Sequence, residues 1–192
     1  MAIQRDWAFC EKCYGLFFNL YPNKGNCPGG RGGHKQAQTG MGYDYMLNHS
    51  IPSNQYTQPE WEYCKNCHGM FFNGYPNKGI CPSGGVHERD EHGYHFVLKH
   101  DTPRLYSNEQ PYWDFCIYCQ GLFYNGFNKK GSCPASEKVR LLNGDYTHIG
   151  GHKRHPQAYN FILTFWTASP PPHTLIAHCG WPPNPSLCPG YH

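Results

Sequence analysis

Apolar positions along this chain of 192 residues come in short bursts between long polar stretches. Three bursts alternate with period two: Tyr43-Asp44-Tyr45-Met46-Leu47, Tyr94-His95-Phe96-Val97-Leu98 and Tyr159-Asn160-Phe161-Ile162-Leu163. Such alternation predicts short strands. Three further bursts are aromatic and flank a CxxC turn: Trp7 and Phe9 with Phe17-Phe18, Trp61 and Tyr63 with Phe71-Phe72, and Trp113 and Phe115 with Phe123-Tyr124. Each predicts a hairpin astride its turn. Neighbouring strand residues face opposite sides, so only one ring of each aromatic pair can cover its own turn, and the other must cover a neighbouring unit or face water. No stretch has apolar residues at helical spacing, so no amphipathic helix is expected. Residues 48–60 and 99–112 are polar, carry Pro52, Pro59, Pro103 and Pro111, and read as linkers. Ser169 to His192 holds seven prolines, and no regular structure is expected there.

Internal repetition organises these bursts. Residues 7–30 read WAFCEKCYGLFFNLYPNKGNCPGG, residues 61–85 read WEYCKNCHGMFFNGYPNKGICPSGG, and residues 113–134 read WDFCIYCQGLFYNGFNKKGSCP. The offset is 54 residues from Cys10 to Cys64 and 52 from Cys64 to Cys116. The expected fold is small, metal-stabilised and mostly β, with three tandem zinc-ribbon-like β-hairpin modules and a Pro-rich C-terminal tail. The modules are placed at residues 1–52, 53–103 and 104–168, the third with an insertion at 135–150, and the tail at 169–192.

Each module carries CxxC, thirteen residues, a third Cys, and then a His after six, five and eighteen residues in turn. A CxxC turn brings two sulfurs within reach of one tetrahedral ion, and a second loop must supply the other two ligands. The resulting Cys3His sets are Cys10, Cys13, Cys27 and His34; Cys64, Cys67, Cys81 and His87; and Cys116, Cys119, Cys133 and His152. His152 is preferred to His148 because it and His87 both lie nine residues before the central Phe of the following strand. Three cysteines cannot pair off within a module, whereas zinc, expected as three ions, accounts for all nine. The tail adds His173, His178, Cys179, Cys188 and His192; Cys179 and Cys188 are read as a disulfide or free thiols ahead of an extra metal site.

Between the second and third cysteines lies a Pro-Asn-Lys-Gly turn, altered in the third module to Asn128-Lys129-Lys130-Gly131. It serves as a connector, and Tyr21, Asn23, Lys24, Tyr75, Asn77 and Lys78 are its candidate ligand-binding residues: a ring to stack, with an amide and an ammonium to hydrogen-bond. The pattern WxxCxxCxGLFF, then CPxGGxH, then an aromatic YxFxL strand resembles tandem zinc-ribbon-like repeat modules of bacterial and fungal proteins, mostly of unassigned function. The resemblance spans residues 7–47, 61–98 and 113–163. It implies ligands at the twelve positions above and no particular activity. The third module departs from it at Cys133-Pro134-Ala135-Ser136.

Composition narrows the function classes. The chain has 5 Trp, 15 Tyr and 11 Phe, which sets it apart from disordered sequences. No apolar run approaches the ~20 residues of a membrane span. The formal charge is +3, and each Cys3His site loaded with a divalent ion changes it by −1, which leaves no net charge. That disfavours nucleic acid, although aromatic stacking keeps single-stranded binding as an alternative. A closed Cys3His set leaves no open position for a reacting water, so an enzyme is disfavoured, and a zinc-dependent hydrolase built on the tail is the second alternative. The leading expectation is a non-enzymatic zinc-binding repeat protein that recognises carbohydrate in a lectin-like manner, or else a peptide. Met1 to Trp7 has no apolar leader core, so a cytoplasmic location is the default, with non-classical release as the route outside.

Overall fold

The computed structural model describes residues 2–140, 146–167 and 175–176; the tail cysteines Cys179 and Cys188 lie outside the described residues. Copy 1 supplies β1 (Ala2–Phe9), β2 (Leu16–Phe18) and β3 (Tyr45–His49), and copy 2 supplies β4 (Thr57–Tyr63), β5 (Met70–Phe72) and β6 (Phe96–His100). After the short β7 (Leu105–Tyr106), copy 3 supplies β8 (Glu109–Phe115), β9 (Leu122–Tyr124), the pair β10 (Glu137–Arg140) and β11 (Tyr146–Ile149), and β12 (Phe161–Phe165); β13 (Leu175–Ile176) pairs with β7. There is no helix among the described residues.

Each copy folds its strands alike. β1 pairs antiparallel with β2 across the CxxC turn, Trp7 facing Phe18 and Phe9 facing Leu16, and with β3 on its other side. β4 with β5 and β6, and β8 with β9 and β12, repeat the arrangement. The inner strands β3, β6 and β12 then pair with one another in all three combinations, which closes nine strands into a ring with pseudo-threefold symmetry.

The residues expected to be linkers are partly strand. Thr57 and Gln58 pair with Lys99 and Leu98, and the register then shifts before Trp61 pairs with Phe96. The shift is a bulge at Glu60, whose φ is 69°, and Asp6 (67°) and Tyr112 (72°) mark the same bulge in the other copies. A bulge breaks the period-two pattern by one residue, and Pro59 beside it read as a strand terminator.

The core sits on the ring axis. Trp7, Trp61 and Trp113 are fully buried. Each meets the inner-strand ring of the next copy edge-on: Trp7 with Phe96 at 5.2 Å, Trp61 with Phe161 at 5.0 Å and Trp113 with Tyr45 at 5.3 Å between centroids. Edge-to-face pairs of this kind add about 0.5–1.5 kcal/mol each beyond burial. The aromatic pairs divide as their alternation requires: Phe17, Phe71 and Phe123 face the cysteine clusters, while Phe18, Phe72 and Tyr124 join the central core.

One substitution within the repeat disturbs this core. Trp7 and Trp61 donate their indole N–H to Gln4 and Gln58, each at 3.1 Å. The third copy has Gln110 in the same place, but the hydroxyl of Tyr45, where the other copies have Phe, donates to its Oε1, and the Trp113 indole is left without a partner.

The copies also lock backbone to backbone. Gly25 has φ of 65°, and a Cβ there would fall on the Cys67 carbonyl; Gly79 stands likewise against Cys119 and Gly131 against Cys13. Gly40 has nearly the same φ, 66°, with open space where its Cβ would be. Gly25→Ala is therefore expected to destabilise the metal-loaded protein by more than the roughly 1–3 kcal/mol of backbone strain alone, and Gly40→Ala to cost only the strain. Denaturant midpoints of the two variants measure the difference, and equal midpoints would remove the close approach from the account.

Candidate metal centres

The first two ligands of each centre come from the CxxC turn that ends β1, β4 or β8. In copy 1 the Cys10 amide donates to the Gly15 carbonyl and the Tyr14 amide to the Cys10 carbonyl, at 3.0 and 2.8 Å. The same two bonds recur at Cys64 and His68, and at Cys116 and Gln120. The third Cys and the His come from the loop after the Pro-Asn-Lys-Gly turn, where the amide of His34 donates to the Lys24 carbonyl at 3.1 Å and that of His152 to the Lys130 carbonyl at 2.9 Å. His152 keeps its place despite the longer spacing because β10 and β11 pair antiparallel within the insertion, so the chain leaves and returns nearby.

The ligand atoms of Cys10, Cys13, Cys27 and His34 lie within 4.8 Å of one another, as do those of Cys64, Cys67, Cys81 and His87 and those of Cys116, Cys119, Cys133 and His152. The spacing fits a metal. Ligands bound at about 2.3 Å for sulfur and about 2.0 Å for nitrogen around a tetrahedral ion stand about 3.8 Å apart sulfur to sulfur and about 3.5 Å sulfur to nitrogen. The first and third cysteines are separated by 3.7, 3.9 and 3.8 Å in the three centres. The second cysteine and the His Nδ1 are separated by 3.4, 3.5 and 3.4 Å. All nine repeat cysteines are free thiols, much too far apart for disulfides.

Charge makes the same point. Hydrogen bonds from Cys13 and Cys27 hold the Cys10 thiol far below its ordinary range, burial drives Cys13 well above it, and the bond to Cys10 pushes Cys27 up to about 12. The third centre repeats the pattern, with Cys133 at about 12. Without a cation such a cluster carries one thiolate; a divalent ion lets all three ionise. At His87, burial disfavours the charged ring, but hydrogen bonds and electrostatic attraction from Cys64 and Cys81 outweigh it and raise its pKa to about 9.

Around the ligands, Phe17, Phe71 and Phe123 stack on His34, His87 and His152 at 4.8, 4.9 and 4.8 Å. The free ring nitrogen of His34 reaches the carbonyl of Cys67 at 3.1 Å, and that of His152 reaches the carbonyl of Cys13 at 3.0 Å. One centre's His is thus oriented by a ligand residue of the next centre. His87 Nε2 is buried without a partner. Such outer contacts are worth about 10- to 100-fold in metal affinity. The second centre should therefore lose its metal first in a chelator titration, which NMR of the three His side chains can follow. Simultaneous loss would deny the outer bond any role.

The Pro-Asn-Lys-Gly turns are built for their own closure. Asn23 and Asn77 side chains accept from the Gly25 and Gly79 amides at 2.9 and 3.0 Å, and Lys24 and Lys78 each donate to the carbonyl of Asn19 or Asn73 at 2.5 Å. Tyr21 and Tyr75 are each 47% exposed.

A further set of residues supports the loops and escaped the sequence reading. Ala8, Glu62 and Asp114 occupy one repeat position, and Gln36, Arg89 and Arg154 occupy the position that bridges to the first cysteine. Buried Asp114 accepts from Arg154 Nε at 2.7 Å, and buried Glu62 lies 3.8 Å from Arg89 Nε and 2.7 Å from His95 Nδ1. Where the carboxylate is absent, at Ala8, the arginine is absent too, and Gln36 pairs with Asn19 at 2.8 Å. Acid and base come and go together, which superposing the three copies reveals. Asp114→Ala should cost about 1–3 kcal/mol by taking the acceptor from Arg154 Nε and from the Asn125 amide, and adding Arg154→Gln, which reproduces the pair of copy 1, should recover most of it. Additive losses in the double variant would show the two residues to be uncoupled.

Comparison with protein-family models, with curated proteins and with solved structures returns no match. The functional reading stands on the geometry of the three centres and of the seams between copies.

Proposed function

We propose that each centre holds one structural zinc ion, three per chain, and that the ring they fasten is a non-enzymatic ligand-recognition module that takes carbohydrate ahead of peptide. The observation that carries the reading is the ligand set: three thiolates and one imidazole, nearly all buried, at tetrahedral spacing. Zinc accepts that set without redox chemistry and without preferring another geometry. With four protein ligands, such a centre has no position for a water to be activated; when bound, the ion supplies folding free energy and fixes the two loops.

Recognition is supported by the aromatic surface left after the centres are built. Tyr21 and Tyr75 stand half-exposed beside Phe18 and Phe72 at 5.4 and 5.1 Å, while the amides and ammonium groups of their turns are engaged internally. A neutral zinc-loaded chain with exposed rings suits an uncharged polar ligand better than a polyanion.

Native mass spectrometry should find three zinc ions per chain. Because zinc competes with protons for Cys13, Cys27, Cys119 and Cys133, uptake should release about two protons per ion at the first and third centres, and affinity should fall as pH falls. Removal of zinc should unfold the ring. A melting curve unchanged at zero metal content would overturn the structural-zinc reading.

A further inference from the structure

The three seams of the ring are built from equivalent residues, yet they differ in what they leave open. Between copies 2 and 3 there is a cavity of about 170 Å³ whose walls include Gln58, Phe72 and Tyr75 from copy 2 and Phe115, His155 and Gln157 from copy 3. At about 10–15 Å³ per water-sized group, it takes on the order of a dozen heavy atoms, the size of one sugar ring and well below a drug-sized pocket.

The walls combine flat rings with hydrogen-bonding groups. Tyr75 sits edge-on to Phe72 and Phe115 at 5.1 and 6.0 Å, and Phe115 lies 5.9 Å from the His155 ring. His155 Nδ1 accepts from the Gln157 amide at 3.1 Å, which leaves Nε2 to carry the proton and donate. Gln58 gives its oxygen to Trp61, and its amide nitrogen remains a donor. None of the residues that line the cavity, among the described residues, is Asp, Glu, Lys or Arg.

The equivalent seams lack this combination. The position of His155 is Ala37 in copy 1 and Asp90 in copy 2, the three sharing a backbone bond to Phe9, Phe115 or Tyr63. Between copies 3 and 1, Gln110 is engaged at both ends, by the Tyr45 hydroxyl and by the sulfur of buried Met41. Between copies 1 and 2, Asp90 brings a carboxylate to the place of the imidazole.

We infer that the cleft between copies 2 and 3 is the binding site for a single neutral hexopyranose or N-acetylhexosamine unit. The inference rests on the recognition reading above and narrows it to one seam and one ligand class. Aromatic faces take the C–H face of a sugar ring, and the amides and the imidazole N–H meet its hydroxyls. A ligand held by such groups alone is uncharged.

The test uses the full zinc-loaded chain and saturation-transfer NMR with methyl glycosides of glucose, galactose, mannose and N-acetylglucosamine, with glucuronic acid as the charged counterpart and a glycan array in parallel. His155→Ala installs the residue that copy 1 carries at this position, and Gln157→Ala changes an exposed side chain, so both should keep their zinc and melting temperature. Each should weaken sugar binding about tenfold or more, whereas Tyr118→Ala, which removes an exposed ring outside the cleft, should leave it within about twofold. Sugar binding that survives both variants, or is lost only in Tyr118→Ala, would overturn the cleft while leaving carbohydrate recognition in place. Preference for glucuronic acid would overturn the neutral class. A blank array and no saturation transfer from any glycoside would overturn the sugar and the carbohydrate reading together, and a peptide then selected from a library and lost in His155→Ala would reassign the cleft to the second ligand class.

Discussion

Each CxxC turn, closed by two backbone bonds of its own, presents its last two carbonyls to partners from another copy. In copy 2, Cys67 O accepts from the imidazole of His34 and His68 O from the amide of Phe18, both from copy 1. In copy 1, Cys13 O and Tyr14 O accept from His152 and Tyr124 of copy 3. Gln120 O of copy 3 accepts from Phe72 of copy 2. Every copy is therefore a donor to the next and an acceptor from the last. A chain so short of aliphatic residues gains much from this, because the turns that gather each cysteine cluster also form the surfaces on which the neighbouring copies dock.

How much of this could be read in advance depends on the range of each interaction. The twelve clustered residues lie at spacings that local loops dictate, so the clusters of Cys10 to His34 and its two counterparts were legible from the chain, including His152 beyond an insertion. The inner strands were legible too, since Tyr45-Met46-Leu47 and its equivalents alternate. Closure was not. A periodic sequence describes a row as well as a ring, and the difference lies in contacts such as His152 with Cys13, separated by more than the length of two repeats. The bulge at Glu60 escaped because one extra residue shifts the alternation without leaving a compositional mark.

Equivalent backbone and unlike side chains meet most clearly just after the second cysteine. Tyr14, His68 and Gln120 share positive φ values of 65°, 65° and 59°, a conformation that costs a side chain of this kind on the order of 1–3 kcal/mol. Glycine would remove that cost, yet none of the three copies has it. The side chains explain why. Tyr14 packs on Phe9 and on Phe127 of copy 3, and His68 packs on Tyr63 and on Tyr21 of copy 1. Gln120 is buried with its side-chain amide oxygen, Oε1, unpartnered. The backbone at this position serves the ring, and the side chain distinguishes one seam from the next.

That division of labour bears on how a repeat protein acquires a single binding site. Residues of the Cys3His clusters, the Trp core and the glycine contact cannot vary in one copy without weakening the whole ring, because each serves two copies at once. Positions such as Ala37, Asp90 and His155 share one backbone bond, to Phe9, Tyr63 or Phe115, while their side chains differ: Ala37 joins the buried core, the Asp90 carboxylate accepts from the His92 amide, and the His155 ring meets Phe115. Change there keeps the shared backbone bond and alters the seam it faces. Three nearly identical scaffolding copies can thus carry three different clefts, and the position at which the copies disagree while their backbone bonds agree is where specificity has room to arise.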